Sequence, residues 1–164
     1  MAEHILEREL TLALPRDEAF AFFADAGNLE RITPPELNFH IITPQPIDIR
    51  QGSLIDYKLR MRGIPMSWRT EISVWEPPFR FVDQQLRGPY TQWTDTHACA
   101  EVSPDEPVVH DEVRYRLPLE PVGDIIHFLI RKELDHIFDF RQKAVAEILG
   151  KKLAEASDIP SVPC

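Results

Sequence analysis

The sequence has few cysteines, few glycines and no motif typical of a nucleotide or hydrolase site. Cys99 lies in a strand-like segment and Cys164 is the last of the 164 residues, so neither a disulfide framework nor a cysteine-based metal cluster is predicted. The chain contains no Gly-rich phosphate loop, no HExxH helix and no GxSxG elbow. We therefore expect no metal and no other cofactor.

Positive charge and long apolar runs are also scarce. The chain has 18 Lys and Arg against 27 Asp and Glu, a net charge of -9, which disfavours nucleic acid because phosphate binding depends on basic residues. The first ten residues carry charges, and no segment approaches the ~20 apolar residues of a membrane span. These features predict a cytoplasmic protein without stable membrane insertion.

What the sequence does contain is typical of one soluble globular domain. Hydrophobic residues make up 43% of the chain, which suffices for a single buried core at this length. We expect this domain to comprise residues 1–149. Residues 150–164 are predicted to form a flexible C-terminal tail.

Most of the chain alternates between apolar and polar residues, which is typical of half-buried antiparallel strands. The predicted strands cover residues 4–13, 39–43, 53–62, 66–74, 79–86, 92–103 and 108–117. Between the first two, Pro15 and the acidic residues after it predict a helix that ends near Gly27. One further short helical turn is expected before Pro34.

The period changes from two to about 3.6 residues after Gly123, which predicts one long C-terminal helix ending at Gly150. Such a helix would be about 40 Å long and needs a large apolar partner. Only the inward faces of the strands can supply that partner. The sequence therefore predicts an α+β fold in which a curved antiparallel sheet of about seven strands wraps around the helix.

Two neighbouring strands carry polar residues on a face that we expect to point inward. On that face lie Phe81, Asp83, Gln85, Trp93, Asp95 and His97. The opposite parity, with Val82 and Thr96 inward, also makes an acceptable packed face. We favour the first because it buries the rings of Phe81 and Trp93, where burial of aromatic area stabilises most.

Buried polar side chains need partners, since an unpaired buried group costs on the order of 1–3 kcal/mol. In one interpretation these polar side chains form hydrogen bonds that fix the turn at residues 87–90 and the neighbouring strands, and no ligand is involved. In a second they form the polar end of a ligand pocket. In a third His97 is a general acid or base oriented by Asp95 or Asp83. Asp111 on the next strand either joins this polar end or lies at a surface edge.

The same pocket would have an aromatic and flexible wall suited to an apolar ligand. Plain core packing against the long helix would use the same residues. A tyrosine in this wall could also hydrogen-bond a developing enolate. The predicted ligand-contacting residues are Tyr57, Met61, Trp68, Phe81, Asp83, Gln85, Tyr90, Trp93, Asp111 and Tyr115.

The segments FRFVDQQLRGPYTQWTDTH, HDEVRYRLPLEPVGD and IFDFRQKAV resemble a bacterial ligand-binding subfamily of the START-like polyketide cyclase, dehydrase and lipid-transport superfamily. Its pattern is F-x-D-x-Q, then G-P-Y, then W-x-H-x-H. The chain supplies Phe81, Asp83, Gln85, Gly88, Pro89, Tyr90, Trp93 and His97. It departs from the pattern at Asp95, where the subfamily has histidine.

The resemblance covers residues 1–149 and implies the helix-grip fold, with an internal cavity for an apolar ligand. The departure puts in doubt any role that needs both histidines and leaves a carboxylate and imidazole pair. The first hypothesis is binding of a lipid-like or polyketide-like molecule. The alternatives are an aromatase/cyclase or dehydrase that uses His97 and Asp95 for proton transfer, and a regulatory protein with a vestigial cavity. An open edge strand makes a homodimer plausible.

Overall fold

The computed structural model of the chain describes residues 3–12, 14–103, 106–118 and 125–157. Its strands are β1 His4–Thr11, β2 His40–Ile41, β3 Leu54–Met61, β4 Ile64–Glu76, β5 Arg80–Arg87, β6 Gln92–Ser103 and β7 Glu106–Arg116. Its helices are α1 Arg16–Ala24, α2 Ala26–Arg31, a 3-10 turn Pro35–Leu37, and α3 His127–Ser157. The order of these elements confirms the predicted fold class.

The seven strands form one sheet in the order β1-β7-β6-β5-β4-β3-β2. Every neighbouring pair is antiparallel, as expected for strands joined mostly by short turns. The β3–β4 hairpin turns at Arg62 and Gly63, both at positive φ (51° and 79°), as the tightest hairpin turns require. Strand β4 therefore begins at Ile64, two residues before the predicted start of this strand at residue 66.

The helix α3 lies along the sheet and contributes to both halves of the core. Val145 and Leu149 pack with β-strand and α1 residues in one apolar cluster. Leu134 and Phe138, each 2% exposed, pack in the other cluster with Trp68, Trp93 and other residues of the sheet. The apolar stripe predicted for this helix thus faces the sheet from Leu134 to Leu149, whereas Ile125, Ile126 and Leu129 at its start are exposed.

The ends of α3 differ from the prediction or lie partly outside the described residues. The helix continues to Ser157, seven residues beyond the Gly150 at which the sequence predicted its end. Residues 119–124, which include the predicted start after Gly123, and residues 158–164 of the predicted tail lie outside the described residues. The flexible tail therefore stays a prediction.

The short helices α1 and α2 follow β1, where the proline and acidic residues predicted a helix. Pro15 occupies the N-cap of α1, and Asp17 and Glu18 lie in its first turn. Phe20 and Phe22 of α1 are buried. The Asp25 side chain accepts a hydrogen bond from the Gly27 amide at 2.9 Å and so starts α2.

Candidate functional site

Four polar side chains meet on one face of the sheet because of the register between its central strands. His97 of β6 lies directly opposite Phe81 of β5 on one side and Asp111 of β7 on the other. Asp83 of β5 lies opposite Asp95 of β6. Residues two apart on a strand share a face, so the register brings three carboxyl groups around one imidazole.

The imidazole of His97 is held on both of its nitrogen atoms. Its Nδ1 lies 2.8 Å from Asp111 Oδ1, and its Nε2 lies 2.6 Å from Asp83 Oδ2. The Phe81 ring stacks on it with ring centroids 4.4 Å apart. Asp83 therefore orients His97, which was one of the two predicted possibilities. Asp111 belongs to the polar cluster and does not lie at a surface edge.

Asp95, the other residue predicted to orient His97, lies farther from the imidazole. Its Oδ2 lies 3.5 Å from His97 Nε2, beyond the distances of the Asp83 and Asp111 contacts. Its Oδ1 is buried and has no hydrogen-bond partner within the described part of the chain. The close carboxylate and imidazole pairs are thus formed by Asp83 and Asp111, and Asp95 is a buried carboxyl group with unused acceptor capacity.

Burial and mutual charge set the protonation of the cluster. Burial raises the pKa of Asp95 to about 8, against the opposing charge of His97. Burial alone would lower the pKa of His97, but the carboxylates of Asp95 and Asp111 and the hydrogen bonds to Asp111 and Asp83 raise it well above 6.5. Burial also acts to raise the pKa of Asp111, but the charge of His97 outweighs it and holds that pKa below 3.8. The protonation states of Asp95 and His97 are therefore linked, since an ionised Asp95 favours the imidazolium form of His97 more strongly than a protonated Asp95 does.

The cluster opens onto a cavity of about 160 Å³ between the sheet, α3 and the two short helices. Most of its wall is apolar. Seven of the ten predicted ligand-contacting residues line it, together with both predicted catalytic residues, Asp95 and His97. The seven are Tyr57, Met61, Trp68, Phe81, Asp83, Tyr90 and Trp93.

Three predicted ligand-contacting residues do not line this cavity. Gln85 points back to the β5–β6 turn, where its amide donates to the Tyr90 carbonyl at 2.7 Å and accepts from the Tyr90 amide at 3.2 Å. Asp111 lies behind the His97 ring. Tyr115 is fully buried, and its hydroxyl lies 2.8 Å from His127 Nε2. Gln85 thus fixes the turn by hydrogen bonds, as the first interpretation had it. Asp83 and His97 instead line the cavity.

The sequence missed the residues that α1, α2 and α3 bring to the cavity wall. Phe22, Leu29 and Ile32 come from the short helices and the end of α2. Arg141 comes from α3, where it falls between Phe138 and Val145 on the buried stripe. A basic residue inside an otherwise apolar stripe was the available signal for Arg141.

Several polar atoms that face the interior lack a hydrogen-bond partner among the described residues. They include Trp68 Nε1 and Arg141 Nε, which are donors, and Asp95 Oδ1, which is an acceptor. All three side chains line the cavity. The hydroxyl of Tyr57 is different, since it lies 3.1 Å from Thr70 Oγ1, and burial raises its pKa. Unpaired donors and acceptors thus belong to residues of the cavity wall.

One group of potential metal ligands lies in the same place. Asp83, Asp95 and His97 each offer one ligand atom, and these atoms lie within 4.8 Å of one another. Carboxylate oxygen and imidazole nitrogen atoms are common ligands of divalent metals. The cluster can therefore exchange protons, accept hydrogen bonds or bind a cation.

Comparison with solved structures identifies the fold. The Zhui aromatase/cyclase from Streptomyces sp. R1128 superposes with a TM-score of 0.74 at 13% identity, covering 93% of this chain and 96% of that one. A START superfamily protein from Mycobacterium smegmatis gives 0.67 at 13% identity, covering 88% and 99%. Norcoclaurine synthase from Thalictrum flavum, in complex with dopamine and hydroxybenzaldehyde, gives 0.62 at 18% identity, covering 89% and 88%. The chain has the helix-grip fold of the START-like superfamily.

Sequence comparison adds no closer relationship. No protein-family model matches the chain, and no curated protein matches it. Among the described residues, no helix is long and apolar enough to cross a membrane. The cytoplasmic location and the homodimer stay predictions.

Proposed function

We propose that the protein binds a small apolar molecule, of one or two rings or a short lipid-like chain, that carries one hydroxyl or comparable polar group. The polar group would lie at the cluster of Asp83, Asp95 and His97. The observation that carries this proposal is the cavity itself, which combines an aromatic wall with the polar cluster of Asp83, Asp95 and His97. The fold supports the proposal, since the superposed structures include an aromatase/cyclase and a norcoclaurine synthase in complex with dopamine and hydroxybenzaldehyde.

The size and lining of the cavity suit an apolar occupant. An apolar cavity of ~150 Å³ can bind a benzene-sized molecule, so about 160 Å³ accommodates one ring or more. The rings of Trp68, Trp93 and Tyr90 lie against one another, with centroids 4.8–5.7 Å apart. These rings are inclined to one another by 39–89° and restrict one another's movement, so another ring gains contact area against them with little loss of side-chain freedom.

The unpaired atoms of the wall define the polar end of the ligand. Asp95 Oδ1 can accept a hydrogen bond and Trp68 Nε1 can donate one. A hydroxyl group both donates and accepts, so it can pair with either type of atom. Each hydrogen bond formed in place of an unpaired buried atom stabilises the complex by about 0.5–1.5 kcal/mol.

The test is a titration with 4-ethylphenol, followed by tryptophan fluorescence with excitation at 295 nm, since two of the three tryptophans, Trp68 and Trp93, line the cavity. Saturable quenching with one site per chain is expected. The matched probe 4-ethyltoluene exchanges the hydroxyl for a methyl group and should bind about 2–10-fold more weakly, the value of one hydrogen bond.

A pair of variants makes this test specific to the cavity. Leu59 is 6% exposed and lines the cavity, so Leu59→Phe fills part of it and should weaken 4-ethylphenol binding at least about tenfold. Leu86 of β5 is 52% exposed and lies outside the wall, so Leu86→Phe should bind like the wild type. Equal binding by all three proteins, or none by the wild type, would contradict the proposal.

Acid–base catalysis is a second candidate function, favoured by one observation. A carboxyl group with a pKa of about 8 that faces a cavity is suited to exchange protons near neutral pH. Asp95 would be the group that moves the proton, because both nitrogen atoms of His97 are engaged by other carboxylates. The test is deuterium incorporation at the α-carbon of 4-hydroxyphenylacetone in heavy water, which Asp95→Asn should abolish and Leu86→Phe should not change.

A further inference from the structure

We propose that Asp83, Asp95 and His97 form a binding site for one divalent transition-metal ion, such as Zn²⁺. This inference does not rest on the binding of an apolar molecule. It goes beyond the fold and the cavity, because it assigns a cation to the polar cluster. Three features of the described residues support it: the distances between ligand atoms, the unpaired carboxyl oxygen, and the carboxylate behind His97.

The distances within the cluster suit a metal ion after small side-chain rotations. His97 Nε2 lies 2.6 Å from Asp83 Oδ2 and 3.5 Å from Asp95 Oδ2. A metal bound tetrahedrally at about 2.0–2.2 Å from each ligand places neighbouring ligand atoms about 3.3–3.6 Å apart. The distance to Asp95 already has this value, and the distance to Asp83 would lengthen by about 1 Å. The metal would take the place of the Nε2 proton of His97 and of the proton on Asp95, and both protons pass to solvent.

Asp95 supplies an independent observation that points to a cation at this place. The residue is only 3% exposed, and its Oδ1 has no hydrogen-bond partner within the described part of the chain. It lines the cavity and lies beside His97 Nε2, so the carboxyl group is at the place where the cation would sit. Leaving such an oxygen unpaired costs on the order of 1–3 kcal/mol, which coordination would offset.

Asp111 completes the arrangement from behind. Its Oδ1 lies 2.8 Å from His97 Nδ1, so the second ring nitrogen donates to a carboxylate while Nε2 faces the other two carboxyl groups. Histidines that bind metals usually donate their other N–H in this way, which fixes the ring and makes Nε2 a better ligand. The Phe81 ring, stacked on the imidazole, limits its rotation further.

The ligand set indicates the class of metal. One imidazole with two carboxylates suits Zn²⁺, Fe²⁺ or Mn²⁺, whereas Mg²⁺ and Ca²⁺ prefer oxygen ligands throughout. Two carboxylates also balance the charge of a divalent ion. Three protein ligands leave a position that faces the cavity, and a water molecule or an oxygen atom of a bound molecule could occupy it.

The test is calorimetric titration of Zn²⁺ into the full-length protein after treatment with EDTA and removal of the chelator. We expect one tightly bound Zn²⁺ per chain. Asp95→Asn, which keeps the shape of the side chain, should weaken binding at least about 100-fold, and Asp111→Asn should weaken it about 10–100-fold, as for the loss of a carboxylate behind a ligand. Circular dichroism checks that each variant is folded.

An exposed histidine and carboxylate pair provides the control. His136 Nε2 lies 2.6 Å from Glu36 Oε1 at the surface, where it could bind Zn²⁺ weakly. His136→Ala should leave the tight site unchanged. The Co²⁺ derivative should show a visible absorption band that Asp95→Asn removes or shifts and His136→Ala preserves.

Absence of stoichiometric Zn²⁺ binding to the folded wild type would overturn the metal proposal. Binding that survives Asp95→Asn and is lost in His136→Ala would also overturn it. The titration with 4-ethylphenol is performed in EDTA, so failure of the metal site and failure of the apolar cavity are separate results.

Discussion

Replacing Asp95 by asparagine should make the stability of the protein less sensitive to pH. Burial raises the pKa of Asp95 from 3.8 to about 8, so the folded protein keeps a proton that the unfolded chain releases above pH 4. Where the unfolded chain binds fewer protons, the free energy of unfolding falls as the pH rises. Asparagine has nearly the same shape and cannot ionise, so the variant lacks this decline.

The size of the effect follows from the difference between the two pKa values. Between pH 5 and pH 7 Asp95 is ionised in the unfolded chain and largely protonated in the folded protein. The free energy of unfolding of the wild type then falls by about 1.4 kcal/mol per pH unit because of Asp95. The free energy of unfolding of Asp95→Asn should therefore rise by about 2–3 kcal/mol relative to that of the wild type between pH 5 and pH 7. Any fixed cost of the new amide group is the same at both pH values and leaves the slope unaffected.

Other groups of the cluster titrate in both proteins. The raised pKa of His97 gives stability that is present below pH 6.5 and is lost as the pH rises through its folded value. The lowered pKa of Asp111 gives stability that is present above pH 3.8 and is lost at lower pH. Comparing the variant with the wild type therefore reports Asp95 together with the effect of its charge on the pKa of His97.

The assay is urea unfolding of both proteins in EDTA at pH 5, 6 and 7, followed by circular dichroism. Asp56→Asn is the control, because Asp56 is paired with Arg69 at the surface and its pKa is lowered, so it is ionised in both states across this range. Its difference from the wild type should be constant with pH. A constant difference for Asp95→Asn as well, or one that shrinks as the pH rises, would refute the assignment of a buried protonated carboxyl group.

Three further predictions concern packing. A Cβ at Gly88 would lie 2.5 Å from the side-chain oxygen of Gln85, so Gly88→Ala should destabilise the protein, and Gln85→Ala in the same chain should remove most of that extra cost in a double-mutant cycle. Leu134 lies on α3 and is 2% exposed, so Leu134→Ala should lower the free energy of unfolding, measured with urea, by about 2–5 kcal/mol. Leu129→Ala, at a 39% exposed position, should lower it much less. Burial raises the pKa of Cys99 to about 11, so with the other cysteine replaced by alanine its thiol should react with Ellman's reagent only as the chain unfolds, and rapid reaction in the folded state would contradict this.

The strands and the long helix could be predicted because their periodicity reflects burial of one face. The predicted strand at residues 92–103 has the bounds of β6, and the inward parity that buries Phe81 and Trp93 is the one observed. The end of the long helix was predicted too early, because Gly150 lowers helix propensity without breaking a helix.

The polar cluster was only partly predictable. Parity within one strand indicates which side chains share a face, but it does not fix the register between strands. That register places Asp111 opposite His97 and leaves Asp95 without a hydrogen bond. Gln85 shares the parity of Asp83, yet its amide folds back to the turn at the strand end, which alternation alone does not describe.

The most direct test of ligand binding in the cavity is a crystal structure of the protein with 4-bromophenol, with data collected for the anomalous signal of bromine. We expect one bromine peak inside the cavity beneath α3, against Trp68 and Trp93, with the hydroxyl oxygen within hydrogen-bond distance of Asp95 or Asp83. Bromine found only at the surface, for example beside the exposed Phe128, would contradict the claim that this cavity binds small apolar molecules by a polar end.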